Sequence, residues 1–349
     1  MIRTHRRQWI RWVAVCLSSF AAVILLVPAI LVKSHGPSAV PIERMGQETI
    51  ASDRATEEQV VVPVYLTQQR KVERIPLESY VRGVLAAEMP IEFELEAMKA
   101  QAMAARTYIV RRIAEQDFTG VPAEAAGAWV TDTVAHQAYV SDEELKERWG
   151  KAYADNADKL NRAVNETKGF ILTYEGKPIE ATFFSTSNGY TENSEDYWNE
   201  YIPYLRSVPS PWDVSLSPRY KETVTLTAKE LQTKLGLRSS IPASAGAGGG
   251  MKVLETTQGH RIKRMTVGGT TFTGRELREK LGLASSQFQW SWKGQSLSIT
   301  TFGYGHGVGM SQWGANGMAM EGRKAEEIVK YYYKGIALQQ DASFLPKPS

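Results

Sequence analysis

The chain has 349 residues, with 41 Lys and Arg against 38 Asp and Glu, five His and a single Cys. Residues 1 to 33 hold five of those basic residues and no acidic one, so the remainder carries 36 basic against 38 acidic residues, which argues against nucleic acid or another polyanion as the main partner. Cys16 is the only thiol, so the rest of the chain has neither a disulfide nor thiolate chemistry and must be held by its apolar core.

Val13 to Val32 is an uncharged apolar run of the length that spans a bilayer core. Arg3, Arg6, Arg7 and Arg11 precede it and the first acidic residue is Glu43, which predicts a cytoplasmic N-terminus and export of the remainder. The run is longer than a signal-peptide core and lacks an A-x-A-like cleavage site, so it reads as an uncleaved single-pass anchor: tail 1–12, transmembrane helix 13–32, tether 33–58, and an exported domain over 59–349. The alternative is a cleaved signal peptide.

Folded structure is expected to begin with β-rich Val60 to Leu66 and a partner strand at Lys71 to Ile75. Next, Leu77, Val81, Val84 and Leu85 fall at helix spacing, and Glu88 continues their series. Pro90 disfavours helical geometry at Met89, so the helix should stop near Glu88, at the negative end of its dipole. Partial burial and that dipole both oppose ionisation, as a general acid requires near neutral pH. The bland alternative is a surface glutamate on a frayed last turn.

Residues 94 to 114 form the strongest predicted helix, with Leu95, Met98, Ala102, Ala105, Ile109 and Ile113 as its buried stripe and Lys99, Met103 and Arg106 on the flank. One or two further helices are expected over 142–168, then a hairpin from Gly169 to Phe184 that delivers the polar loop Ser185 to Glu192. Tyr197, Trp198, Tyr201, Tyr204 and Trp212 follow; such aromatics serve either as core or as sugar platforms. Ser239 to Gly250 is a low-complexity connector, and residues 251–302 read as strands around a helix from Gly274 to Leu281. A Gly-rich loop, Gly303 to Gly317, precedes a last helix through Tyr331, Tyr332 and Tyr333. No internal repeat is evident.

No two histidines have metal-ligand spacing such as i, i+4, which disfavours a zinc hydrolase. The Gly-rich loop lacks the Lys-Ser/Thr of a phosphate loop, and neither Ser187 nor Ser311 lies in a G-x-S-x-G turn. Carbohydrate chemistry remains, which needs a carboxyl proton donor and, where water is the acceptor, usually a second carboxylate. Glu92, Glu94, Glu192, Glu195 and Asp196 lie in polar surroundings that read as ordinary surface. A single acid/base suffices if the sugar's own 6-hydroxyl attacks the anomeric carbon.

Five segments together resemble one family: Ala86 to Pro90 (AAEMP), Lys99 to Tyr108 (KAQAMAARTY), Phe183 to Glu192 (FFSTSNGYTE), Tyr204 to Asp213 (YLRSVPSPWD) and Gly303 to Asn316 (GYGHGVGMSQWGAN). They are similar, in the expected order, to the stage II sporulation protein D family of membrane-anchored lytic transglycosylases from endospore-forming bacteria. The resemblance implies an α+β domain with a glycan cleft between a helical lobe, about 77–168, and a β-rich lobe, about 169–349. It implies cleavage between N-acetylmuramic acid and N-acetylglucosamine in peptidoglycan strands stripped of stem peptides, with 1,6-anhydro ends, during engulfment of the forespore. It further implies the amidase SpoIIP and the membrane protein SpoIIM as partners, and a site outside the mother cell's engulfing membrane, facing the intermembrane space. No cofactor is implied. Glu88 takes the family's acid/base position, and Arg106, Ser187, Asn188, Tyr201 and His306 fall in matching motifs as substrate-cleft candidates. Some relatives bind zinc where this chain has Thr131 and His136, so that metal site does not carry over. A non-catalytic glycan-binding activator of an amidase is the rival reading, and a hydrolase leaving reducing ends is the third.

Overall fold

The computed structural model describes residues 60–237 and 250–346. The expected anchor 13–32, the tether 33–58 and most of the connector 239–250 lie outside the described residues. Among those described, no helix is long and apolar enough to cross a membrane.

Strands β1 (Val61–Leu66) and β2 (Lys71–Pro76) pair antiparallel, and the short β3 (Val130–Thr131) joins β1 on its other side in parallel. Helix α1 (Leu77–Glu88) follows β2 directly, and its apolar stripe is buried as the spacing requires: Val81, Val84 and Leu85 have no exposed surface. Each contributes roughly 1.5–3 kcal/mol by leaving water. Helix α2 (Leu95–Glu115) is central rather than one-sided. Small alanines on almost every face let its neighbours approach, so that residues from Ala97 to Val110 are nearly all buried. Around it stand α1, α4 (Tyr153–Asn165), against which α3 (Asp142–Trp149) packs, and a sheet of β4 (Phe170–Tyr174) between β5 (Lys177–Pro178) and the C-terminal β14 (Ala337–Gln340).

The hairpin expected over 169–184 closes for only two residue pairs of β4 and β5. The chain then turns away, and β6 (Phe183–Phe184) pairs in parallel with β13 (Met310–Ser311). Isolated bridges Thr186 to Tyr304 and Glu192 to Val308 continue this association, so the two polar motifs run side by side. Short helices α5 (Ser194–Trp198) and α6 (Trp212–Leu216) follow the first motif, while α9 (Gln312–Met320) and α10 (Ala325–Tyr332) follow the second.

The division into lobes does not fall at residue 169. The core around α2 draws on Val62 through Ile336, whereas a separate core of fifteen buried residues lies wholly between Leu226 and Ile299. This second unit is an insertion whose ends meet, since Gly303 N donates to the Tyr220 carbonyl at 2.8 Å. It contains two antiparallel three-stranded sheets, β7 (Lys221–Thr227), β12 (Ser296–Phe302) and β11 (Phe288–Lys293) in one, and β10 (Thr270–Thr273), β9 (Ile262–Val267) and β8 (Met251–Thr256) in the other.

This insertion contradicts the expectation of no internal repeat. Thr227-Ala-Lys-Glu-Leu-Gln-Thr-Lys-Leu-Gly-Leu237 and Thr273-Gly-Arg-Glu-Leu-Arg-Glu-Lys-Leu-Gly-Leu283 share one pattern. Each edge strand runs into a helix, α7 (Ala228–Leu235) or α8 (Gly274–Leu281), through a capping box. In both boxes the threonine Oγ1 accepts from the glutamate N at 3.1 Å and the glutamate Oε2 accepts from the threonine N at 2.7 Å. Both helices end on a left-handed glycine, Gly236 or Gly282.

Candidate active site

Helix α1 ends at Glu88, with Met89 extended at φ −115° and ψ 133°. No basic residue occupies the last turn, so the carboxyl meets the unneutralised negative end of the helix. Glu88 is half-buried, and burial raises its pKa above the ordinary 4.5. Two weaker influences pull the other way: Oε1 accepts the Ala138 N–H at 3.3 Å, and the Gln312 side-chain amide lies close to the carboxyl. The Gln312 Nε2 is itself buried and makes no hydrogen bond of regular geometry. A half-buried acid whose proton is held more tightly than usual, beside a buried amide donor, is equipped to protonate a leaving oxygen and to be steadied once ionised.

The Ala138 N–H is delivered by a strap that crosses α1. The Val140 N–H donates to the Gly83 carbonyl at 3.4 Å, Tyr80 OH donates to Gln137 Oε1 at 3.1 Å, and the Tyr139 ring stacks on Tyr80 at 5.9 Å between centroids. Gly83 is what permits the crossing, because a Cβ there would stand 2.2 Å from the Tyr139 ring and 2.7 Å from the Val140 carbonyl oxygen. A helix-interior glycine costs about 1 kcal/mol relative to alanine. Here it fixes the strap that positions the Ala138 N–H.

Gln312 is placed from the other side. Ser311 caps α9, and its Oγ donates to Asp213 Oδ1. Asp213 also accepts the Ser187 N–H on Oδ1 at 2.7 Å and the Ser210 hydroxyl on Oδ2 at 2.7 Å, and the Ser210 Oγ meets the Tyr332 hydroxyl at 2.8 Å. This buried carboxyl therefore ties together the 185–192 loop, the 204–213 segment and the first turn of α9. Helix α9 then rests on the turn after Glu88: Glu94 N donates to Asn316 Oδ1 at 2.8 Å, and Phe93 packs edge-on against Trp313. Backbone must pass close to backbone for this, as Gly309 shows. Its φ is +83°, and a Cβ would lie 2.1 Å from the Thr182 carbonyl oxygen.

The other sequence candidates are placed as follows. Arg106 is fully buried, paired with both carboxylate oxygens of Glu78 at 2.9 and 2.6 Å and with the Phe170 carbonyl at 3.2 Å, so it packs α2 against its neighbours and presents no free edge to a ligand. Ser187 is also fully buried, its Oγ donating to the Ser210 carbonyl at 2.9 Å. Asn188 accepts the Tyr190 N–H at 3.2 Å and donates to the Gly259 carbonyl at 2.8 Å, joining the loop to the inserted unit. These three belong to the framework of the fold. Their motifs carried them onto the candidate set, but a motif does not report whether a side chain points inward.

His306 sits among the Phe184, Tyr197 and Trp198 rings, 5.4 to 5.8 Å between centroids. Its Nδ1 accepts the Val308 N–H at 3.1 Å, so Nε2 carries the proton that goes to the Phe183 carbonyl at 3.0 Å. Burial and the nearby Arg278 push its pKa down to about 3, which keeps the ring neutral and outside acid–base work. Tyr201 is 66% exposed, with the Arg206 guanidinium 4.4 Å from its ring centroid, and remains free to meet a ligand.

Three of the carboxylates considered as a second acid are engaged elsewhere, while Glu92 and Glu94 are exposed. Glu192 is buried against Arg261 at 3.3 Å and Thr257 at 2.9 Å, Glu195 pairs with Arg206, and Asp196 pairs with Lys263 at 3.1 Å. Glu94 begins α2. In the segment where the expected zinc site did not carry over, the Thr131 Oγ1 meets the His136 Nδ1 at 2.9 Å and the His136 Nε2 meets the Thr119 carbonyl at 3.2 Å. Among the described residues no three potential ligands converge.

Sequence reasoning missed Gln312 and Asp213. The signal for Gln312 was present: an amide directly after a helix-capping serine in a Gly-rich loop. Asp213 gave none, since a single aspartate after Pro-Trp reads as a turn.

Residues 65–174 match the family described as SpoIID: Stage II sporulation protein. Stage II sporulation protein D of Bacillus subtilis (strain 168) is 47% identical over 343 residues, covering 96% of this chain and 97% of that protein. The protein of the same name from Bacillus amyloliquefaciens is 46% identical over 342 residues, 95% of this chain and 96% of that protein. An amidase enhancer of Bacillus subtilis (strain 168) is 29% identical over 310 residues, 74% of this chain and 40% of that protein.

Proposed function

This chain belongs to the stage II sporulation protein D family, and from that membership and the placement of Glu88 we propose that it is a lytic transglycosylase of peptidoglycan glycan strands. Glu88, its proton held more tightly through burial, protonates the glycosidic oxygen as the bond from the muramoyl C1 breaks. The same carboxylate then takes the proton of that sugar's 6-hydroxyl as O6 bonds to C1. The proton given to the leaving strand is thus recovered, and a 1,6-anhydro end remains. What supports this reading is the raised carboxyl at the end of α1 with the Gln312 amide beside it, whereas Glu192, Glu195 and Asp196 are held in ion pairs of their own. Ala138 N–H and the Gln312 amide steady the carboxylate between its two proton transfers.

The bond cleaved joins N-acetylmuramic acid to N-acetylglucosamine in strands freed of stem peptides, and the setting is forespore engulfment. The segment 13–32 anchors the chain with its N-terminus in the cytoplasm and the catalytic domain across the membrane, where SpoIIP and SpoIIM are its partners. The name of the amidase enhancer favours one rival, a glycan-binding activator of an amidase. Incubating the protein with stripped glycan strands and weighing the products separates them. Anhydro ends that vanish in Glu88→Gln support the proposal, whereas intact strands together with faster amidase turnover contradict it.

A further inference from the structure

A basin opens beside the strap. It has a volume of about 410 Å³, and Ser79, Arg82, Tyr139, Asp142, Tyr153 and Asn161 line it. Gly83, in its floor, precedes Glu88 by five residues, about 7.5 Å along the helix axis at 1.5 Å per residue. The strap connects the two places directly, because Ala138 donates to Glu88 and the next residue, Tyr139, forms a wall of the basin.

Its chemistry is that of a site for an uncharged, hydroxyl-rich ring. Tyr139 and Tyr153 present phenol rings, and Ser79 and Asn161 present a hydroxyl and an amide at the exposed rim. The charges are already paired within the wall. Arg82 donates to Asp142 Oδ1 and to Asn161 Oδ1, both at 2.8 Å, and the same Asp142 oxygen accepts Tyr153 OH at 2.6 Å. Lys146 completes the pairing of Asp142 at 2.8 Å, and these partners hold its carboxyl down to about 2. An ionic ligand would have to break this network, whereas a neutral polyol finds fixed donors and acceptors. Burial pushes the Tyr139 phenol up to about 12, so it stays a hydroxyl donor at any physiological pH.

We propose that the basin between α1, the 137–141 strap and α4 is a carbohydrate subsite that holds an uncharged pyranose ring of the strand whose bond lies at Glu88. The proposal rests on the reading of Glu88 as the cleavage point and adds where a neighbouring sugar is gripped. Its consequence is that affinity for short oligosaccharides depends on the basin and the chemical step does not.

The test uses the full chain carrying Glu88→Gln, titrated with the N-acetylglucosamine tetramer by calorimetry. In that background Ser79→Trp, which fills the basin from its rim, is expected to weaken binding by at least about tenfold, and Asn161→Ala by about threefold. Unchanged melting temperatures in both variants show that the fold is intact. Affinity unaltered by either substitution overturns the subsite, whatever products wild type releases. Affinity lost in both upholds the subsite, even if wild type releases no anhydro ends and the catalytic reading alone fails.

Discussion

Asp213 is buried with both carboxyl oxygens occupied by hydroxyls and a backbone N–H, whereas Glu88, half-buried at a helix end, accepts one backbone N–H and stays partly exposed. Burial raises the pKa of both. The perturbed pKa is therefore common to a structural carboxyl and to the candidate acid, and what separates them is whether the proton has anywhere to go. Asp213 holds three segments of backbone in register. Glu88 is held by others and remains available.

Substitutions should separate these roles. Asp213→Ala strips three donors of their acceptor, and at about 1–3 kcal/mol for each buried group left unpaired it should destabilise the protein by roughly 3–5 kcal/mol, read by urea unfolding. Arg106→Ala leaves Glu78 unpaired against the core and should cost about 3 kcal/mol, the lower end for a broken buried pair because Glu78 is partly exposed. Were Arg106 a ligand contact instead, its loss would raise KM and leave unfolding unchanged.

Gly83→Ala sharpens the comparison on the Glu88 side. The added methyl group drives the Tyr139 ring off α1, with an overpacking cost of about 1–3 kcal/mol. Because Tyr139 follows Ala138, glycan cleavage should fall by more than the loss of stability explains, measured as kcat at a temperature where both proteins remain folded.

The smallest effect is on pH dependence. Glu88 binds its proton more tightly in the folded protein than at the ordinary value of 4.5, so between that value and its raised one the native state holds more protons than the unfolded state. Stability contributed by this group is present at low pH and is lost as pH rises through that window. Glu88→Gln removes the dependence. Unfolding free energies of the two proteins, followed upward from pH 4, should therefore shift in favour of the variant, and a constant difference would contradict the raised pKa.

Much of the Glu88 region was legible in the sequence because it obeys local rules. An apolar period of helical spacing, broken by a carboxyl and stopped by Pro90, fixes both the face and the end of the helix. The core helix at 95–115 was legible for the same reason. What the sequence hid was non-local. The parallel pairing of Phe183–Phe184 with Met310–Ser311 depends on segments far apart in the chain, so Phe183–Phe184 read as the return strand of a hairpin. Arg106 and Ser187 shared motifs with the site, yet burial depends on the elements that cover them. The repeat at Thr227 and Thr273 was visible in the letters, but a low-complexity connector separates its copies and each is only one strand end and one helix.

The central claim is that one carboxyl serves as acid and then base, with the sugar's own hydroxyl as acceptor. Digestion of stripped glycan strands in oxygen-18 water, followed by mass spectrometry of the new ends, tests it most directly. The account predicts anhydro ends without label from wild type, and a fall of about a hundred- to ten-thousand-fold in their release by Glu88→Gln. Reducing ends that carry one labelled oxygen would show water as the acceptor and contradict it.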